Sequence, residues 1–179
     1  QHLLEVVIYQ RNHIHLSSAE GDSLPCPKLL LGEKGTMKTW YCLLVAGCAG
    51  TSVMTLFLFL PRWAGWSKVD VIKAGGALLV GMNARAFATG MGIHLVMGVG
   101  FSYLYAVFLG FSHLPFNTLT GALLGSLHGV VVMLLVAILI MEHHPVARYH
   151  ERGPATGLAH LGAHILYGAT VGWVVGLMN

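Results

Sequence analysis

The chain has 179 residues, 55% of them hydrophobic and only 9% charged, with Lys+Arg 10 against Asp+Glu 7. A soluble domain carries about 25% charged residues, so a soluble fold of this size could not cover its surface, and much of this surface must face lipid. The net charge of +3 is small and dispersed, and no RNP, zinc-finger or helix-turn-helix pattern accompanies it, which excludes a nucleic-acid partner.

Residues 1–36 are polar and lack a long apolar run. The first methionine is Met37, opening MKTWYCLL directly before the first hydrophobic stretch, and Gly32, Glu33, Lys34 and Gly35 have purine-rich codons like a ribosome-binding site. The expectation is a native start at Met37, with 1–36 as an extension and 37–179 as one transmembrane domain. No signal-peptide cleavage pattern follows. Cys26, Cys42 and Cys48 form no CxxC or metal spacing, and Cys42 and Cys48 read as inert packing within an apolar run.

Four apolar runs follow, at about 41–60, 91–111, 119–141 and 156–178, none holding Asp, Glu, Lys or Arg. Each is about 20 residues, enough to cross a hydrocarbon core of roughly 30 Å at 1.5 Å per residue. The expected fold is all-α, an integral membrane four-helix bundle. Trp40, Tyr41, Trp63 and Trp66 mark the interfaces of the first span. Between the first two spans, Val69 to Ala88 mixes Val71, Ile72, Leu78, Leu79, Val80 and Phe87 with Lys73, Asn83 and Arg85. That pattern predicts an interfacial amphipathic helix over about 69–88, with a re-entrant element as the alternative.

Charge bias predicts the orientation. The loops at 61–90 and 142–155 carry Arg62, Lys68, Lys73, Arg85, Arg148 and Arg152, whereas the other side, counted from Met37, carries only Lys38. By the positive-inside rule these two loops face the cytoplasm and both termini face outward, in the cell (inner) membrane.

Small residues recur at every fourth position in three spans. In the second the stripe is Gly90, His94, Gly98, Ser102, Ala106 and Gly110. In the third it is Gly121, Gly125 and Gly129, and in the fourth His160, His164, Gly168, Gly172 and Gly176. Lipid tails are as apolar as Leu, so close backbone approach at small residues must bring the helices together. The stripes predict right-handed close crossings at which spans two, three and four meet.

Histidine supplies nearly all the polarity of the spans, at His94, His128, His160 and His164. His143, His144 and His150 follow the third span, in a segment that reads as a solvated turn. His160 and His164 share a helix face, as two ligands of one metal would, and His94 can supply a third. Alternatively, His94 with His160 or His164 clamps a haem iron, with Gly98 and Gly168 leaving room for the macrocycle. Against both stands the lack of any carboxylate in the spans to orient a ligand or act as a base. The plainer alternative has each histidine donating a hydrogen bond to a neighbouring helix, worth about 1 kcal/mol. No GxSxG, Walker A or dinucleotide fingerprint is present.

The run GALLVGMNARAFATGMGIHLVMGVGFSYLYA, with Gly90, His94, Gly98, Phe101, Tyr105 and Ala106 at the matching positions, resembles small four-helix bacterial membrane proteins of unknown function. GALLGSLHGVVV is similar to the Gly-His helix that follows in them. The resemblance implies the fold and no activity. The leading expectation is therefore a non-enzymatic structural or accessory subunit, working in the bilayer through helix contacts with homo- or hetero-oligomeric partners. A haem- or metal-binding protein using His94, His160 and His164 comes second. A small transporter or channel comes third, with only Ser52, Thr55, Ser102 and Ser126 beside the histidines to line a path.

Overall fold

The computed structural model describes residues 36–65, 70–150 and 154–178. The 1–36 extension lies outside the described residues except for Thr36, as do Trp66, Lys68 and Arg152. The described residues form α1 (Thr36–Trp63), α2 (Val71–Val80), α3 (Ala86–Phe111), α4 (Thr118–Val136) and α5 (Pro154–Met178). A π-helical segment, Ala137–Glu142, continues α4, and a 3-10 turn spans Ala147–Tyr149. Four helices are long and apolar enough to cross a membrane, over Thr39–Leu60, Ala86–Phe111, Thr118–Ile140 and Thr156–Met178. That is the pattern of a multi-pass membrane protein.

The second span begins five residues earlier than its apolar run, because Ala86, Phe87 and Ala88 already belong to α3. The helix expected over 69–88 is correspondingly shorter. Asp70 caps it, its Oδ1 accepting the Lys73 N–H at 2.9 Å. Gly81 ends it at φ +71°, where its N–H reaches Ala77 O, a backbone state that favours glycine. Asn117 starts α4 with a capping box, its Oδ1 accepting from Leu119 and Thr120 while Thr120 Oγ1 accepts the Asn117 N–H, so the donors of the first turn are satisfied.

The stripes pack within the chain, but not all in the expected pairs. On α4 and α5 they interlock. A methyl added at Gly168 would strike the Gly121 carbonyl, one at Gly125 the His164 carbonyl, and one at Gly172 the Asn117 carbonyl. On α3 the close backbone approaches are to α1 and α2 instead. Gly90 lies against Ile72 and Gly76 of α2, Gly98 against Thr51 of α1, and Ser102 against Gly47 of α1. The reason is physical: a four-residue spacing defines a thin face but carries no information about which helix fills it. Gly176 has only Phe116 O near, at 3.9 Å, and does not bring helices together.

One core joins α1, α3 and α5 through Leu43, Ala46, Ala106, Leu109, Tyr167, Val171 and Val175. Ser102 Oγ donates to Leu43 O at 2.8 Å, and the Tyr167 hydroxyl donates to Gly98 O. A smaller core holds α2 under the end of α4, through Ala74, Ala77, Ala86, Ile140 and Tyr149. The outward faces are apolar, as on α4 at Leu119, Leu123, Leu127 and Leu134, which suits contact with lipid.

Candidate functional site

The site is built on α5. His160 and His164 stand one turn apart and are each only 5% exposed. Nδ1 of His160 lies 2.9 Å from Thr156 O, and Nδ1 of His164 lies 2.7 Å from His160 O. A carbonyl oxygen only accepts, so each Nδ1 carries the hydrogen, and in the neutral ring Nε2 is left as a bare lone pair. Their own helix thus fixes both tautomers and frees both acceptors. Each of these two histidines gives its ring N–H to the carbonyl four residues back in its own helix and not to a neighbouring helix.

His94 comes from α3, one turn before Gly98. Among the described residues, two buried side-chain polar atoms have no hydrogen-bond partner: His94 Nε2 and Thr55 Oγ1. Thr51 packs on Gly98 and Phe59 stands near Phe87. The antiparallel pairing of α1 and α3 therefore puts Thr55 at the level of His94.

His94, His160 and His164 line one cavity of about 200 Å³. The residues named from spacing alone are thus brought together. The remaining lining is apolar and includes Leu58 of α1, Ile72 and Gly75 of α2, Met97 of α3, and Val132 and Val136 of α4. The cavity lies toward the end of the molecule that carries the 61–90 and 142–155 loops.

His128 does not line the cavity. Its Nδ1 is 3.1 Å from the Tyr105 hydroxyl, the one cross-helix bond of the kind expected for these histidines. Its ring lies 3.8 Å from that of Phe101 and stands edge-on to His164 at 4.7 Å. Tyr167 closes this group, edge-on to Tyr105 at 5.8 Å. His164 therefore has the cavity on one side and a packed aromatic cluster on the other.

The residues do not fit a haem. Gly98 is filled by Thr51, and Gly168 by Gly121 and Gly125, so neither leaves room for a macrocycle. The cavity is also smaller than the roughly 300–1,000 Å³ of sites for drug-sized ligands. Among the described residues, no three His, Cys, Asp or Glu side chains form a ready metal cluster. Of the hydroxyls offered for a transport path, three bond backbone carbonyls: Ser52 bonds Cys48 O, Ser126 bonds Ala122 O, and Ser102 bonds Leu43 O, which leaves Thr55 Oγ1.

The histidines after α4 depart from a solvated turn. His144 is 2% exposed and Tyr149 3%. His144 Nδ1 accepts the Val146 N–H at 3.0 Å, so Nε2 carries the hydrogen and donates to Ala74 O at 3.1 Å. His150 Nε2 donates to His144 O at 2.6 Å. The segment straps α2, and α2 is a wall of the cavity. His143, by contrast, is exposed and bonds back to Ile138 O.

Thr55, Met97, Tyr105 and Tyr167 are the neighbours of the site that spacing did not reveal. In an apolar helix a tyrosine or methionine looks the same whether it faces lipid or a partner. Comparisons with protein-family models, curated proteins and solved structures give no match, and the family resemblance rests on its motif residues alone.

Proposed function

We propose that this chain is a four-helix inner-membrane protein that binds a small ligand in a histidine-lined cavity near its cytoplasmic face. The observation that carries the reading is the convergence on one cavity of His94, His160 and His164. Two of them have their lone pairs freed by their own helix, and the third has a buried nitrogen without a partner. A buried polar atom left unpaired costs about 1–3 kcal/mol and is rare in folded proteins. The unpartnered His94 nitrogen at this cavity is paired when a ligand enters.

The basic loops at 61–90 and 142–155 support a cytoplasmic placement for that end, with both termini outside. The short helix α2 then lies at the cytoplasmic interface, with Asp70 and Lys73 toward the headgroups. Binding rather than catalysis is favoured because the four spans contain no carboxylate to act as a general base. The stripes of α4 and α5 interlock with each other, so a role as an accessory subunit would have to use other surfaces.

Native mass spectrometry of the untagged protein, extracted from its own membranes in mild detergent, tests this reading. The expected result is a small bound species on the wild type that is lost in His160→Phe with His164→Phe. A wild type that carries nothing beyond what the variant carries would refute it.

A further inference from the structure

We propose that the ligand of this cavity is an uncharged phenol with an apolar tail, which enters sideways from the bilayer between α3 and α4 and donates its hydroxyl hydrogen to Nε2 of His160 or His164. The inference rests on the binding reading above and goes further by naming the chemical class of the ligand and its way in.

The way in follows from how the helices pack. α4 lies along α5, while α3 lies along α1 and α2. α3 and α4 meet through His128, whose ring sits against Phe101 and bonds the Tyr105 hydroxyl. On the side of that layer toward the 61–90 and 142–155 loops, the cavity opens between Ile93 and Met97 of α3 and Val132 and Val136 of α4. Ile93 is 38% exposed and Met97 52%, so this lip stands on the apolar outer surface. Ile72 and Gly75 of α2 cover the end nearest the loops, and the histidines of α3 and α5 form the inner wall. Counted from the start of α3, His94 lies about 12 Å along the span. A molecule dissolved in the bilayer reaches the lip directly, whereas α2 stands between the cavity and the loops.

The lining sets the headgroup. Nε2 of His160 and His164 offers a lone pair and no hydrogen, since each Nδ1 commits the ring hydrogen to its own helix. An ester, ether or ketone only accepts, and finds no donor in either ring. Carboxylates, phosphates and ammonium groups find no counter-charge, because no Asp, Glu, Lys or Arg lines the cavity and an unpaired charge is costly to bury. What remains is an uncharged O–H or N–H donor. A hydroxyl also accepts, and the unpartnered His94 Nε2 can carry that ring's one hydrogen and donate it to the same oxygen. A phenol is favoured over an aliphatic alcohol, because a hydroxyl with a pKa of about 10, against roughly 15.7 for water, is the stronger donor.

Size sets the rest. An apolar cavity of about 150 Å³ accepts benzene, so the cavity of about 200 Å³ here holds one substituted ring. The tail then leaves through the lip into lipid. Met97 at that lip suits an aromatic ring, since a thioether packs well at a ring edge.

The test is native mass spectrometry of the full chain in phosphatidylcholine nanodiscs, titrated with 4-decylphenol, 1-decanol and 4-decylanisole. The last is the methyl ether of the phenol and lacks its donor. One phenol per chain is expected, with the alcohol bound about 3-fold and the ether about 10-fold more weakly. His160→Phe with His164→Phe should lose the phenol. Val132→Phe narrows the mouth, leaves every histidine in place, and should weaken binding about 10-fold. Leu127→Phe, at an exposed position of α4, should change nothing. Thermal unfolding shows whether each variant is folded, and Val132→Phe and the ether provide the test if the double variant is not. An ether or alcohol that binds as tightly as the phenol, or phenol retained equally by folded cavity variants, would overturn the inference. If the phenol fails while protein from its own membranes still carries a species that depends on His160 and His164, only the identity of the ligand falls. If neither is seen, the binding reading falls as well.

Discussion

The two halves of this molecule handle buried polar groups in opposite ways. In the half built on Leu43, Ser102, Tyr167 and Val171, the buried hydroxyls have work to do within the fold: Ser102 bonds Leu43 O, Tyr167 bonds Gly98 O, and Thr51 bonds Gly47 O. In the half around Thr55, His94, His160 and His164, two buried atoms have no partner, and a cavity lies beside the histidines. Hydrogen bonds between membrane helices average about 0.6 kcal/mol, so the first half gains modestly from its polar groups. In the second half the His94 Nε2 makes no such bond in the ligand-free protein. The difference separates polar groups that hold the fold from polar groups held by it.

The largest effect should come from the interlocked stripes. Gly168→Leu drives a side chain into the Gly121 carbonyl and the Gly125 backbone, and neither can move without displacing a helix. A loss of about 3 kcal/mol is expected, read as aggregation or collapse of the unfolding midpoint in detergent. Gly100→Leu meets open space and should leave the midpoint within experimental scatter. Equal damage from both would mean that the α4–α5 contact is not where the stability resides.

Tyr167→Phe should cost about 1 kcal/mol, because it removes the hydroxyl that ties α5 to α3 and leaves the ring in place against Gly50. Ser102→Ala should cost less, about 0.6 kcal/mol, because its one hydroxyl hydrogen is shared between Leu43 O of α1 and Val99 O of its own helix. Denaturant titration of both variants checks the order. His144→Phe should loosen α2 by removing the bond to Ala74 O. The readout is faster hydrogen exchange confined to 71–80, with the α4–α5 contact unaffected.

The spans were legible because twenty uncharged residues in a row leave a chain few options. The convergence of His160, His164 and His94 was legible too, since a four-residue spacing fixes a face and depth can be counted from the loops. The partner of the α3 stripe was not. Gly90 and Gly98 advertise a thin surface, and only the fold shows α2 and α1 occupying it. The extent of α2 was missed because Gly81 ends it from within a run that otherwise stays apolar. The burial of His144 was missed for a different reason: its bonds run to Val146 and Ala74, the latter 70 residues away in sequence, and no local pattern signals them.

The contrast between the halves comes to a point at His94, whose replacement by Leu keeps a similar volume and removes the unpartnered nitrogen. Thermal unfolding of ligand-free His94→Leu beside the ligand-free wild type is the most direct measurement. The expected result is an unchanged or higher midpoint, because a buried atom with no partner is replaced by an apolar group, together with loss of the bound species. A midpoint several degrees lower would contradict it, since His94 would then be holding the fold as Tyr167 does.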